Sequence, residues 1–130
     1  LPHMISRRSG KIINIGSGMG HEPHANATPY CASKAGLFMF TQCLALELWD
    51  RGIEVNELVP GPVATTAVTW ASDTSSEEAV LEELRDKAPP FSPSERVKPA
   101  AEVGDLLLWL ATRDQGGPTG QSFSRARRPL

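Results

Sequence analysis

The sequence predicts an α/β fold, the later half of a doubly wound parallel sheet with about three strands and flanking helices. Three observations carry that prediction. Residues 12–15 form a short β-branched run with few polar interruptions, as expected of a strand covered on both faces. A long apolar helix pattern follows, and then a second β-run at 53–59 that stops at Pro60-Gly61-Pro62. The whole order is strand, helix, strand, variable helix, helix, strand.

Each element has a local cause. Residues 16–29 are rich in glycine and carry Pro23 and Pro29, which makes them a loop. Pro29 suits a helix start and Thr28 before it suits an N-cap. The helix runs to about Trp49, and Gly52 stops it. Its apolar residues cover more than one stripe, so one side packs on the sheet and the other needs a partner. Residues 66–99 turn polar, and Ser75 with Glu78 is spaced as a capping box ahead of a short helix reaching Lys87. Pro99 opens another helix, whose core stripe is Val103, Leu106, Leu107 and Leu110. Gly116-Gly117-Pro118 then turns the chain into a last strand at 120–124. No repeat or low-complexity tract appears.

Composition narrows the function classes. A chain of 130 residues, with 40% hydrophobic and 22% charged residues, supports one domain with a modest core. A net charge of −2 argues against a nucleic-acid surface or a strongly membrane-attracted one. No apolar run approaches the ~18 residues of a membrane-spanning helix, and no charged-then-apolar leader suggests secretion. Asn26-Ala27-Thr28 matches a glycosylation sequon but reads as coincidence. Cys31 and Cys43 lie twelve apart on one predicted helix, about 18 Å at ~1.5 Å per residue. A disulfide needs Cα atoms within ~7 Å, so the two stay free within one chain, which suits a reducing cytoplasm.

The chemistry gathers around Tyr30, the only tyrosine. Lys34 follows it in Pro29-Tyr30-Cys31-Ala32-Ser33-Lys34-Ala35, and residues at i and i+4 share a helix face. A phenol of ordinary pKa near ~10 becomes a usable acid or base when a fixed ammonium stabilises its anion. Ser17, thirteen positions upstream at the end of Lys11-Ile12-Ile13-Asn14-Ile15-Gly16-Ser17, adds a hydroxyl to hold a carbonyl or alcohol. Val55-Asn56-Glu57-Leu58-Val59-Pro60-Gly61-Pro62-Val63-Ala64-Thr65 supplies a Pro-Gly segment after the next strand.

Together these residues resemble the short-chain dehydrogenase/reductase family. Tyr-x-x-x-Lys alone is weak; the serine and the Pro-Gly segment make the likeness specific, and Gly120-Gln121-Ser122-Phe123 is similar to the family's last strand. The resemblance implies a Rossmann-type fold and hydride transfer between a nicotinamide cofactor, NAD or NADP, and a small-molecule carbonyl or secondary alcohol. It implies that Ser17 positions the substrate oxygen and Tyr30 is the acid/base. Lys34 would lower the tyrosine pKa and bind the nicotinamide ribose, while Pro60, Gly61, Val63 and Thr65 hold the nicotinamide end. It also implies a homo-oligomer through the helix at 30–49.

The resemblance covers only the later part of the family pattern. The Gly-rich turn, the residue that reads the adenosine ribose and the catalytic asparagine have no counterpart, and Leu1-Pro2-His3-Met4 resembles the tail of a family helix. Residues 1–130 therefore read as a single partial domain without its dinucleotide-binding half: a fragment expected to bind cofactor weakly or not at all, and to be inactive alone. The alternative is a truncated, non-enzymatic interaction or structural module.

Blander readings meet the remaining motifs. Gly16-Ser17-Gly18-Met19-Gly20 fails G-x-G-x-x-G, because His21 takes the last position. It also fails the G-x-S-x-G elbow, so it reads as backbone approaching a substrate pocket. A serine hydrolase is a poor fit because no histidine–acid pair has recognisable spacing to Ser17. His21-Glu22-Pro23-His24 lacks H-E-x-x-H spacing and reads as pocket rim, so no metal is expected. Trp70 lies in a stretch that in the family is the substrate lid; it is equally plain packing. Arg125, Arg127 and Arg128 read as a solvated tail.

Overall fold

The computed structural model describes residues 1–65, 76–84 and 95–125. Trp70, Ser75, Lys87, Arg127 and Arg128 lie outside that set. Helix α1 (Pro2–Arg7) leads into strand β1 (Gly10–Ile15), a 3-10 turn at Gly18–Gly20 and the long helix α2 (Thr28–Leu48). Strand β2 (Ile53–Val59), helices α3 (Glu77–Leu84) and α4 (Ala100–Thr112), and strand β3 (Ser122–Ser124) follow. The three strands form one parallel sheet in the order β1-β2-β3. This is the α/β architecture the sequence predicts.

β2 is the spine. All seven of its residues are buried, although three are polar. A strand buried on both faces must satisfy each polar side chain inside the protein. Asn56 does so by donating from Nδ2 to the Pro118 carbonyl (2.8 Å) and accepting from the Gln121 N–H (3.0 Å), which sets the approach of β3. Glu54 accepts from Arg113 Nη2 (2.6 Å) and the Gly117 N–H (2.9 Å), with Lys11 Nζ at 3.9 Å. On the face toward α2, Ile53 and Val55 pack with Ala45 and Leu48, joined by Met4, Ile12 and Leu44.

Several boundaries differ from the expectation. β1 starts at Gly10 rather than at residue 12, and it is not covered on both faces: Ile12 to Asn14 are half-buried and Ile15 is exposed. The cause is position, since among the described residues β1 pairs only with β2 and lies at the edge of the sheet. Thr28 is the first helical residue, not the cap. The Ala27 carbonyl already accepts from the Cys31 N–H (2.8 Å), which closes the first turn one residue early. Gly52 does end the helical run, after a 3-10 turn at Trp49–Arg51, with φ 69°. Ser76 caps α3, its Oγ accepting from the Ala79 N–H (3.2 Å). In α4 Leu110 is buried and Val103 and Leu106 are half-buried, but Leu107 is exposed at the margin of the stripe. β3 is shorter than 120–124 because residues 119–121 are held by Val55 and Asn56 before the ladder begins.

Both cysteines lie on α2 and are free. Thr41, Ala45 and Leu48 turn that helix's inner face to the sheet, while Met39, Phe40 and Leu46 on its outer face are more than half exposed. Among the described residues, no helix is long and apolar enough to cross a membrane.

Candidate active site

The site forms where β1 ends. The Gly16 N–H donates to the Leu58 carbonyl (2.9 Å), carrying the β1–β2 ladder one residue past the strand. Ser17 then caps the 3-10 turn in an extended conformation, and its Oγ accepts from the Met19 N–H (3.2 Å). A hydroxyl occupied as acceptor keeps its proton to donate elsewhere. α2 runs back past this turn. A Cβ on Gly20 would lie 2.8 Å from the Lys34 carbonyl carbon and oxygen, so only glycine lets the turn and the helix approach this closely.

Tyr30 sits in the first turn of α2, 46% exposed. Lys34, one turn further on, donates from Nζ to the Ile15 carbonyl (2.9 Å), two residues before Ser17. Its ammonium lies 5.8 Å from the centroid of the Tyr30 ring. The cation is thus fixed between the strand end and the phenol, rather than snorkelling freely into water. Helix and loop bring Lys34 to the chain turn of Ser17, as the spacing suggests.

The Pro-Gly segment leaves the end of β2. Gly61 takes φ 68°, Pro62 and Ala64 are buried, Pro60 and Val63 are half-buried and Thr65 is exposed. Val63 forms an isolated parallel bridge with Lys98: the Lys98 N–H donates to the Pro62 carbonyl (3.3 Å) and the Ala64 N–H to the Lys98 carbonyl (2.8 Å). In that pattern the peptide groups of Val63 itself face away from Lys98. The Val63 carbonyl accepts from the Thr65 N–H (2.7 Å), and its N–H is the donor presented on that side.

Two features of this region join partners far apart in the sequence. Glu57, fully buried in β2, receives the Ser122 hydroxyl and shares a 2.8 Å hydrogen bond with His21 Nε2. The His21 ring also packs on Phe38, 4.3 Å between centroids. Gly16 accommodates this carboxylate, since a Cβ there would lie 1.8 Å from Glu57 Oε1. Gly16 and Gly20 therefore serve packing within the chain. His21 is likewise turned toward Glu57 rather than being only a rim residue. A histidine–acid pair does exist here, joined across 36 residues rather than by a recognisable spacing to Ser17. Yet Ser17 Oγ is bonded to Met19, and no bond joins it to His21 among the described residues, so no serine-nucleophile triad is assembled. Among the described residues, no three His, Cys, Asp or Glu side chains are grouped to hold a metal.

The second feature is Lys98, buried with no exposed surface. Its pKa is pushed down to about 8, chiefly by burial and further by the Arg96 charge, against the opposing pull of Glu95 and Glu102. Beside it Arg96 and Glu102 form a two-pronged ion pair, with Nη1 to Oε1 at 3.1 Å. The hydrogen bond raises the arginine pKa and lowers that of the carboxyl.

Comparison with known proteins places this geometry. The family model described as short chain dehydrogenase matches residues 1–77, which include Ser17, Tyr30, Lys34 and the Pro-Gly segment. An acetoacetyl-CoA reductase of Cupriavidus necator is 33% identical over 121 residues, covering 93% of this chain and 46% of that protein. The 3-oxoacyl-[acyl-carrier-protein] reductase FabG of Haemophilus influenzae is 35% identical over 123 residues, 95% of this chain and 47% of its own length. The crystal structure of an actinorhodin polyketide ketoreductase variant with NADPH superposes with a TM-score of 0.72 at 30% identity. It covers 95% of this chain and 48% of that one. The chain thus spans about half the length of the curated relatives it matches.

Proposed function

Because the chain belongs to the short chain dehydrogenase family, we propose that it carries the proton-transfer part of hydride exchange between NAD(P) and a carbonyl or secondary alcohol. The observation that carries this reading is Lys34, its ammonium 5.8 Å from the Tyr30 ring and bonded to the carbonyl of Ile15, which stands two positions before Ser17 in the chain.

In the reductive direction, Tyr30 gives its phenolic proton to the substrate oxygen as the carbonyl carbon is reduced. In reverse, it takes the hydroxyl proton. Ser17, whose lone pair is engaged by Met19, donates to the same oxygen and aligns it. Lys34 adds a positive charge that favours the phenolate left behind. The cofactor supplies the hydride. The Pro-Gly segment fits the nicotinamide end, because Val63 presents an N–H donor on the side away from Lys98. Pro60, Gly61 and Thr65 frame that donor.

No G-x-G-x-x-G turn occurs in these residues, so they offer the pyrophosphate no helix N-terminus of that kind. The 130 residues alone are therefore expected to bind NAD(H) or NADP(H) no better than about millimolar. NMR titration is expected to move the signals of Tyr30, Lys34, Gly61 and Val63 first. Micromolar affinity, or shifts confined to other residues, would contradict this assignment. The rival reading, an interaction module without catalysis, draws on the same missing turn.

The outer face of α2 supports a pairing of two copies about a two-fold axis. Burying a leucine or phenylalanine is worth ~1.5–3 kcal/mol each; Met39, Phe40 and Leu46 are more than half exposed on α2, and a two-fold pairing needs only one self-complementary patch. Light scattering is expected to find a dimer or larger assembly that Phe40→Glu dissociates. A well-folded wild-type monomer at tens of micromolar would rule the pairing out.

A further inference from the structure

We propose that Lys98 is the positioning residue of the Pro60–Thr65 segment, holding its carbonyls inward so that the Val63 N–H faces the nicotinamide end of the cofactor. This rests on the functional reading above for what the segment holds, though not for how the segment is held.

Two prolines limit how this backbone can bond. Pro60 and Pro62 have no N–H, so they can join the fold only through their carbonyls. Both carbonyls accept from one atom, Lys98 Nζ, at 2.9 Å and 3.0 Å. The Pro62 carbonyl also takes the Lys98 backbone N–H at 3.3 Å. Gly61 sits between the two proline carbonyls with φ 68°, the left-handed turn that lets both converge on one ammonium. Lys98 thus grips the segment by its side chain and by its peptide bonds.

Among the described residues, no carboxylate forms an ion pair with the Lys98 ammonium to explain it otherwise. The ionisable neighbours are Arg96, Glu95 and Glu102, and Arg96 and Glu102 are bonded to each other. A buried ammonium in such a place is costly unless its donors are used, and here they are used on the backbone that presents Val63. Burial lowers the Lys98 pKa to about 8, but the neutral amine keeps two N–H donors. The hold on both carbonyls therefore survives deprotonation. A hydrophobic replacement such as Lys98→Met keeps most of the volume, strands the Pro60 carbonyl without a donor and leaves the Pro62 carbonyl only the backbone N–H of residue 98.

The test uses the isotopically labelled chain without cofactor. Lys98 ammonium protons are expected to exchange with water at least tenfold more slowly than those of a solvent-exposed lysine, a measurement that needs no variant. In Lys98→Met, amide exchange at Ala64, whose N–H donates to the Lys98 carbonyl, should rise at least tenfold, with Ile12 and Val55 unchanged. Fast exchange of the Lys98 ammonium would overturn the proposal. So would a folded Lys98→Met chain whose Ala64 amide stays as protected as before. Nicotinamide mononucleotide supplies the last arm: its binding should weaken about fivefold in Lys98→Met. A wild-type chain that binds none of it, while Lys98 stays protected, counts against the functional reading alone.

Discussion

Replacing Glu54 by alanine is expected to destabilise the folded chain by about 3–5 kcal/mol. Glu54 points from the buried spine of the sheet to Arg113 Nη2 at 2.6 Å and the Gly117 N–H at 2.9 Å, with Lys11 Nζ at 3.9 Å. The side chains of Arg113 and Lys11 are only 12% and 15% exposed. Removing the carboxylate leaves two cations poorly solvated and one amide without its acceptor, which costs far more than a surface ion pair is worth. Domains of this kind have only about 5–15 kcal/mol of total stability, so such a loss approaches unfolding. Urea denaturation gives the size of the loss. The paired change Glu54→Met with Arg113→Met should cost less than Glu54→Ala alone, because it removes both members of the buried ion pair. A loss under about 1 kcal/mol for Glu54→Ala would show that the cluster does not lock the sheet.

The sequence made the site more legible than its supports. Tyr30 and Lys34 lie one helical turn apart, and any helix through them brings them to one face; Ser17 ends a β-run, and strand ends are where parallel sheets place chemistry. Such relations depend on local geometry and are visible along the chain. The supports depend on distant pairing. Lys98 meets Pro60 and Pro62 across 38 and 36 residues, and Glu57 meets His21 across 36. No spacing rule predicts partners that far apart. One signal was available. Glu54, Asn56 and Glu57 interrupt a run otherwise read as buried strand, and buried polar residues require partners somewhere. Boundaries were least legible where a single hydrogen bond decides them, as at Ala27, or where an edge strand lacks a neighbour, as at Ile15.

The central claim is that Tyr30 moves the proton, and Tyr30→Phe tests it most directly. The change keeps the ring, which is nearly half exposed, and removes only the hydroxyl, so the fold should not suffer. General acid–base groups contribute about 10²–10⁴-fold to rate. The measurement is carbonyl-dependent oxidation of NADPH by the chain joined to a dinucleotide-binding half, with kcat and KM separated. Tyr30→Phe is expected to lower kcat by at least a hundredfold, with KM and the urea midpoint little changed. A variant that keeps a tenth or more of its turnover would contradict the role given to Tyr30, and with it the proton-transfer site.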